Sequence, residues 1–253
     1  MNNIKVIISL TSHDLRLKND TTTKVIFQIL KGTFKDLKVC LTLYKDDVKL
    51  IPAKLQQLID LGSVELIVAD KDLGPHLKYF YAMQKYRNLP VITIDDDVLY
   101  PLDMVEKLYK AHLENKGCVI GRRCFDIGIK NGKLTSYNEW ILKYTKIKTP
   151  THKIFATGIG GVLYPANCLK LNENYIDEIL TIKYDDDFYL KALEVRNDLK
   201  ILTIVFSPNE VYAKNLNDSV TQSIALWNNF NITQSNKNVL KFETEFLYAA
   251  GQN

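Results

Sequence analysis

Three consecutive carboxylates, Asp95, Asp96 and Asp97, follow directly on the run Val91-Ile92-Thr93-Ile94. A short β-branched run of this kind reads as a buried strand, and acids at its carboxyl end stand where open α/β sheets bind their ligands. Side chains alternate along an extended segment, so Asp95 and Asp97 point to one side and Asp96 to the other. Carboxylate oxygens so arranged suit a hard divalent cation, Mg2+ or Mn2+, which can bridge the oxygens of a diphosphate and stabilise it as it leaves. The bland alternative is a solvated turn whose acids cap the next helix, a task for which Asp103 already stands in place.

A second acidic triplet, Asp185-Asp186-Asp187, opens a helical pattern that continues Phe188-Tyr189-Leu190-Lys191. Capping and the helix dipole alone favour acids there. A carboxylate beside a partly desolvated pocket can also take the proton from an attacking hydroxyl, and one acid can cap while its neighbour faces the pocket. Between the triplets, Ala156 to Pro165 contains Gly158, Gly160 and Gly161, which let backbone amides approach a sugar or a phosphate, or which simply mark a bulge. Upstream, Asp72 to Lys78 turns into a helix that carries Lys78 on its first turns, available to neutralise a diphosphate unless it is an ordinary solvated lysine. Thr11, Ser12 and Arg16 follow the first strand at the same sheet edge, where hydroxyls and a guanidinium could receive a uracil or a ribose, or form only a polar loop.

The elements that must position these groups alternate strand and helix. Val6–Leu10, Val39–Leu43, Val64–Val68 and Val91–Ile94 read as strands, with helices over Thr22–Leu30, from Pro52 to Gly62, over Leu77–Lys85 and over Asp103–Glu114. This order predicts an α/β fold, a mixed and mostly parallel central sheet flanked by helices. Beyond Gly117 the alternation weakens. Cys118–Gly121 and Ile201–Phe206 read as strands, Asn131-Gly132 as a two-residue hairpin turn, Ile154–Tyr164 as a strand interrupted by its glycines, and Asp186–Val195 as a helix. From Asn217 onward the chain reads as helical or irregular. Without a linker or repeat, the 253 residues are expected to form one catalytic domain, residues 1–101 its donor-binding half and 102–253 its acceptor-binding half.

Composition closes off other classes. A net charge of +4 is too small to argue for a nucleic-acid partner. Cys40, Cys118, Cys124 and Cys168 form no C-x-x-C pair and the four histidines are scattered, so a thiolate or imidazole zinc site is not expected. No apolar run is long enough to span a bilayer and no leader pattern is visible, from which a cytoplasmic location is expected. Leu226, Trp227, Phe230, Leu240, Phe246 and Leu247 are expected as core rather than lipid contact, although they allow an amphipathic face.

Taken together, Ile8 through Ser12 with Arg16, Asp72 through Lys78, Thr93 through Pro101, Gly158 through Pro165 and Asp186-Asp187 resemble the bacterial GT-A-fold glycosyltransferases that build capsule or lipooligosaccharide. The acidic strand end also looks like that of the exostosin-type transferases. This resemblance implies a nucleotide-sugar donor, usually UDP-linked, with Mn2+ or Mg2+ on Asp95 and Asp97 as the D-x-D pair. It implies donor contacts from Thr11, Ser12, Arg16, Lys78, Asp95, Asp96, Gly160 and Gly161. It further implies a catalytic base in the pair Asp186 and Asp187, with Asp187 favoured and the extra Asp185 blurring the register. The acceptor would be a glycan or lipid-linked glycan, which leaves room for peripheral contact with the inner face of the cytoplasmic membrane. Two other readings compete. A sugar nucleotidyltransferase uses a similar sheet and an acid-bound magnesium, but calls for a glycine-rich loop after its first strand, and Ser9 to Asp20 has no glycine. A non-catalytic nucleotide- or carbohydrate-binding module would not need two acidic clusters.

Overall fold

The computed structural model describes residues 4–205, 214–216 and 232–251. The expectations for Phe206, Asn217, Leu226, Trp227 and Phe230 lie outside the described residues.

A seven-stranded sheet organises the chain. Its strands are β1 (Val6–Thr11), β2 (Leu37–Tyr44), β3 (Val64–Ala69), β4 (Val91–Thr93), β6 (Val119–Gly121), β11 (Val162–Tyr164) and β12 (Ile201–Thr203). Their spatial order is β12-β6-β11-β4-β1-β2-β3. All neighbours are parallel except β11, which runs antiparallel to both β4 and β6. The sheet is thus mixed and mostly parallel, as the alternating pattern predicts.

Alternation along the strands builds two cores. Val6, Ile8 and Leu10 of β1, with Ile92, Leu163 and Ile120, meet helices α2 (Thr21–Lys31), α3 (Ala53–Asp60) and α5 (Met104–Glu114). On the other face Ile7, Cys40 and Val91 meet Ala82 of α4 (Phe80–Lys85). The same face continues through Val162, Tyr164 and Val119 to α8 (Asp186–Arg196) and to the helices Ile232–Lys241 and Glu243–Ala249. Phe246 lies fully buried there against Trp140 and Phe155, so this C-terminal aromatic is core, as expected, whereas Leu247 is half-buried and Leu240, on the outer face of its helix, is exposed and not core.

Several local readings change. The stretch read as one helix from Leu77 breaks at Tyr79: Gly74–Lys78 is a 3-10 turn and α4 begins only at Phe80. His76 lies just ahead of the break. Buried, with its pKa lowered to about 4 by desolvation, it is neutral; its Nε2 lies 3.1 Å from the Ile182 carbonyl and its Nδ1 2.7 Å from the Tyr79 hydroxyl. The carbonyl can only accept, so Nε2 carries the proton and Tyr79 donates to Nδ1. Asp103 makes no capping bond to α5; its carboxylate pairs with Lys107 at 2.7 Å instead. The interrupted strand divides in two. Ile154–Ala156 (β10) pairs with Cys124–Asp126 (β7) in a separate ribbon, the chain turns through Gly158–Gly160, and β11 then enters the main sheet. Gly161, at φ +82°, makes that turn in a region that side-chain-bearing residues avoid. Asn131-Gly132, both at positive φ, joins two short antiparallel strands as the sequence predicts. A five-residue helix, α1 (Asp14–Lys18), stands where a polar loop was an open reading, and it carries Arg16.

The topology gathers the candidate residues at one edge. β1 and β4 are parallel, so Thr11–Ser12 and Asp95–Asp97 leave the sheet side by side. β11 is reversed, so its start, and with it the glycine turn, lies at the same edge, with Val162 opposite Thr93. Among the described residues no helix is long and apolar enough to cross a membrane.

Candidate active site

Lys78 stands at the centre of this edge. Its side chain is only 5% exposed, and its Nζ lies 3.0 Å from Asp95 Oδ1 and 2.7 Å from Asp186 Oδ2. Burial opposes its charge, but Asp186, Asp95 and Asp187 outweigh that cost and hold its pKa well above the ordinary lysine value. The two acidic triplets, some ninety residues apart in sequence, therefore share one buried cation. A second cation comes from α1: Arg16 Nη2 lies 2.8 Å from Asp97 Oδ2 and its Nη1 bonds Asp96 Oδ1. The expected pairing of Asp95 with Asp97 on one side does not hold, because the chain turns at Asp96–Asp97 and brings those two to a common partner while Asp95 meets Lys78.

The second triplet does not cap its helix. Among Asp185, Asp186 and Asp187, the N-cap Asp185 makes no side-chain capping bond and instead accepts from Asn238. Asp186 turns to Lys78, and Asp187 Oδ1 accepts the amide of Gly158 at 3.0 Å. Burial first, then the neighbouring Asp186, push the Asp187 carboxyl up to about 8 against the pull of Lys78. Burial likewise raises Asp97 to about 6, with Arg16 opposing and Asp96 and Asp95 adding to the rise. Five carboxylates thus crowd around Lys78 and Arg16, and the raised Asp187 and Asp97 carboxyls reflect their burial and the repulsion among them.

Gly158 is where the triplets meet. A methyl group there would clash with Lys78 Nζ and lie 3.1 Å from Asp187 Oδ1 and 3.4 Å from Asp95 Oδ1. Gly160 instead backs onto Arg123, and Gly161 faces Met104, Tyr100 and Leu108 in the core. Ser12 reaches the edge, but its hydroxyl is 2.5 Å from that of Thr22 and so ties β1 to α2; Thr11 is half-buried in the ladder opposite Thr42.

Four contributors lie outside the expected donor-contact, metal and catalytic sets. Besides Gly158 these are Tyr100, whose hydroxyl accepts the Asp95 amide at 2.9 Å, and the pair Arg122 and Arg123. Arg123 donates to Thr157 Oγ1 at 3.0 Å and lies 4.7 Å over the Phe125 ring, while Arg122 donates to the Gly160 carbonyl at 3.3 Å. The signal for the arginines was their position directly after β6, which is parallel to β4 through their common partner β11.

The carboxylate oxygens are the donor type that Mg2+ or Mn2+ takes. Asp96 Oδ2 is buried without a hydrogen-bond partner, an acceptor left over for such a cation. With Arg16 and Lys78 drawn in as they are, no group of three or more acidic, histidine or cysteine side chains among the described residues stands ready to hold a metal.

Comparison with known proteins defines the class of fold. No protein-family profile and no curated protein matches the sequence. Among solved structures, a mannosyltransferase from Pyrobaculum calidifontis, in complex with GDP-Man and Mn2+, superposes with a TM-score of 0.52 at 11% identity over 81% of this chain and 56% of its own. A putative glucose-1-phosphate thymidylyltransferase from Bacillus anthracis, in complex with sucrose, gives a TM-score of 0.52 at 14% identity over 87% of this chain and 92% of its own. The chain spans little more than half of the mannosyltransferase. The chain has a GT-A-like Rossmann arrangement, a mixed and mostly parallel sheet flanked by helices, and at these identities the likeness is one of fold alone.

Proposed function

We propose that the chain is a glycosyltransferase that moves a sugar from a nucleotide-sugar donor, UDP-linked by the resemblance of its motifs, to a hydroxyl of a glycan or lipid-linked glycan in bacterial surface polysaccharide synthesis. One observation carries this reading: two acidic triplets from opposite halves of the chain converge on Lys78 beside the bare backbone of Gly158. A binding module has no need of a raised carboxyl next to a buried cation.

In this reading residues 1–253 form one catalytic domain, with the donor on the side of residues 1–101 and the acceptor on that of 102–253. Asp95 and Asp97 are the residues that would hold Mn2+ or Mg2+, and Asp96, expected at the donor, would share in that cation through its unpartnered Oδ2. When bound, the cation supplies positive charge to the oxygens of the departing diphosphate. Lys78 adds a fixed charge beside it that needs no reorganisation during reaction. Asp187 takes the proton of the acceptor hydroxyl as its oxygen bonds to the anomeric carbon, while the bond from that carbon to the diphosphate breaks and its electrons leave with the nucleotide. The Gly158 amide holds Asp187 in place for this, and Asp186 keeps Lys78 between the clusters. Thr11, Ser12, Gly160 and Gly161 shape the donor cleft through backbone and packing. Peripheral membrane contact and a cytoplasmic location belong to this proposal through the lipid-linked acceptor.

Sugar nucleotidyl transfer is the second reading, favoured by the fold shared with the thymidylyltransferase. Against it, the segment after β1 forms α1 and carries no glycine-rich loop. Thermal-shift screening of UDP-, GDP- and CMP-sugars with and without Mn2+ tests both, because a ligand of the folded state raises its stability. A manganese-dependent shift, followed by release of nucleotide rather than pyrophosphate and its loss in Asp97→Asn, is the expected result. No shift with any donor, or equal donor hydrolysis in folded Asp97→Asn, sinks the proposal.

A further inference from the structure

Resting on the metal-dependent reading above, we infer that Arg16 is a built-in stand-in for the divalent cation: it holds Asp96 and Asp97 while the site is empty and gives them up for the donor diphosphate when a cation takes its place.

The ion pair itself carries the evidence. Arg16 does not clasp one carboxylate with both arms; its fork is split, Nη1 to Asp96 and Nη2 to Asp97. Two atoms of this pair are left buried without a hydrogen-bond partner, Arg16 Nε and Asp96 Oδ2. An unused N–H on a guanidinium calls for an anionic oxygen, and an unused carboxylate oxygen calls for a cation. A cation and a diphosphate arriving together satisfy both by exchange: the guanidinium moves to phosphate oxygens, where it bonds bidentately, and the carboxylates turn to the metal.

Of the two cations in the site, only Arg16 is placed to move. Lys78 is 5% exposed and pinned between both triplets, whereas Arg16 reaches in from α1 with 13% of its side chain exposed. α1 is only five residues long, with Leu17 as its one buried residue. Exchange at Arg16 links the two ligands. A cation alone competes with the guanidinium, a diphosphate alone finds it engaged, and each raises the affinity for the other by the same factor.

Equilibrium dialysis with MnCl2, at equal concentrations of UDP or GDP on both sides or of neither, measures this through manganese retained by the protein. Wild type is expected to retain little without nucleotide and at least fivefold more with it, the lower end of typical allosteric coupling. Arg16→Met and Arg16→Gln are expected to retain manganese without nucleotide at roughly tenfold lower concentration than wild type, and to lose most of the nucleotide effect. Near-ultraviolet circular dichroism identifies which of the two variants is folded, and Asp97→Asn serves as the unliganded control. A folded Arg16 variant that binds manganese no more tightly than wild type overturns the stand-in role while leaving the metal site intact. Failure of both wild type and variants to retain manganese with any nucleotide overturns the metal site, and the stand-in with it.

Discussion

The chain contains the same tripeptide twice, Asp95-Asp96-Asp97 at a strand end and Asp185-Asp186-Asp187 at a helix start, and the two behave differently. At the turn that follows β4 each carboxylate meets a cation: Asp95 meets Lys78, and Asp96 and Asp97 meet Arg16. On the helix Asp186 meets Lys78, while Asp185 and Asp187 accept from the neutral donors Asn238 and Gly158. The consequence is visible in proton affinity. Asp97, beside a guanidinium, rises only to about 6, whereas Asp187, with an amide as its hydrogen-bond partner, rises to about 8. Backbone shape therefore sorts identical residues into charge-holding and proton-taking groups.

The sharpest way to break this contrast is to remove the cation that joins the triplets. Lys78→Met leaves Asp95 and Asp186 buried without their common partner and is expected to cost about 3–5 kcal/mol in urea denaturation, with loss of transfer activity. Lys78→Met/Asp186→Asn should recover part of the stability and none of the activity. Stability that is unchanged in the single variant would mean the triplets are not coupled.

Asp187→Asn separates the proton-taking role from the charge-holding one. Turnover is expected to fall by about a hundredfold or more, and the wild-type rate to climb with pH toward 8 as the carboxyl ionises. Stability should move the other way. The folded state keeps a proton that the unfolded chain has already lost above about pH 4, so stability falls as pH rises from about 4 to about 8. Asp187→Asn escapes this fall and should melt above wild type at about pH 8.5, by roughly 2–4 °C for each kcal/mol recovered, with no gain near pH 4. A gain of equal size at both values would show that the carboxyl is not raised by burial.

Gly158→Ala inserts a methyl between the triplets and is expected to cost about 1–3 kcal/mol and most of the activity, measured by thermal melts and donor turnover. Asp103→Asn marks the small end of the scale. Its partner Lys107 is largely exposed, so melts should change by less than about 0.5 kcal/mol. A larger loss would restore the capping role expected from sequence.

The sheet was legible because its signal is local: four β-branched runs, each followed by amphipathic spacing, became β1 to β4 with small changes at their ends. The acids were legible for the same reason, since strand ends and helix starts can be read from neighbours in sequence. Partners were not. Nothing near Asp96 announces Arg16, eighty residues away, and a lysine at the start of a supposed helix gave no sign that it would be buried. Which glycine faces the acids depends on the turn through Gly158–Gly160, whose sense no single residue encodes; Gly160 and Gly161 drew attention while Gly158 makes the approach. The break at Tyr79 was hidden too, and so was the nearby hydrogen bond from His76 to Ile182, a partner too far along the chain to be read from Leu77–Lys85 alone.

The reversed strand β11 constrains how this chain can change over time. Val162 must stay opposite Thr93 for Leu163 to enter one core and Tyr164 the other, and only three residues separate Val162 from Gly158. Dropping or adding one of them would turn every β11 side chain to the wrong face or pull the Gly158 amide off its carboxylate. Spacing here is therefore a stricter inheritance than composition, and length variants should arise elsewhere along the chain.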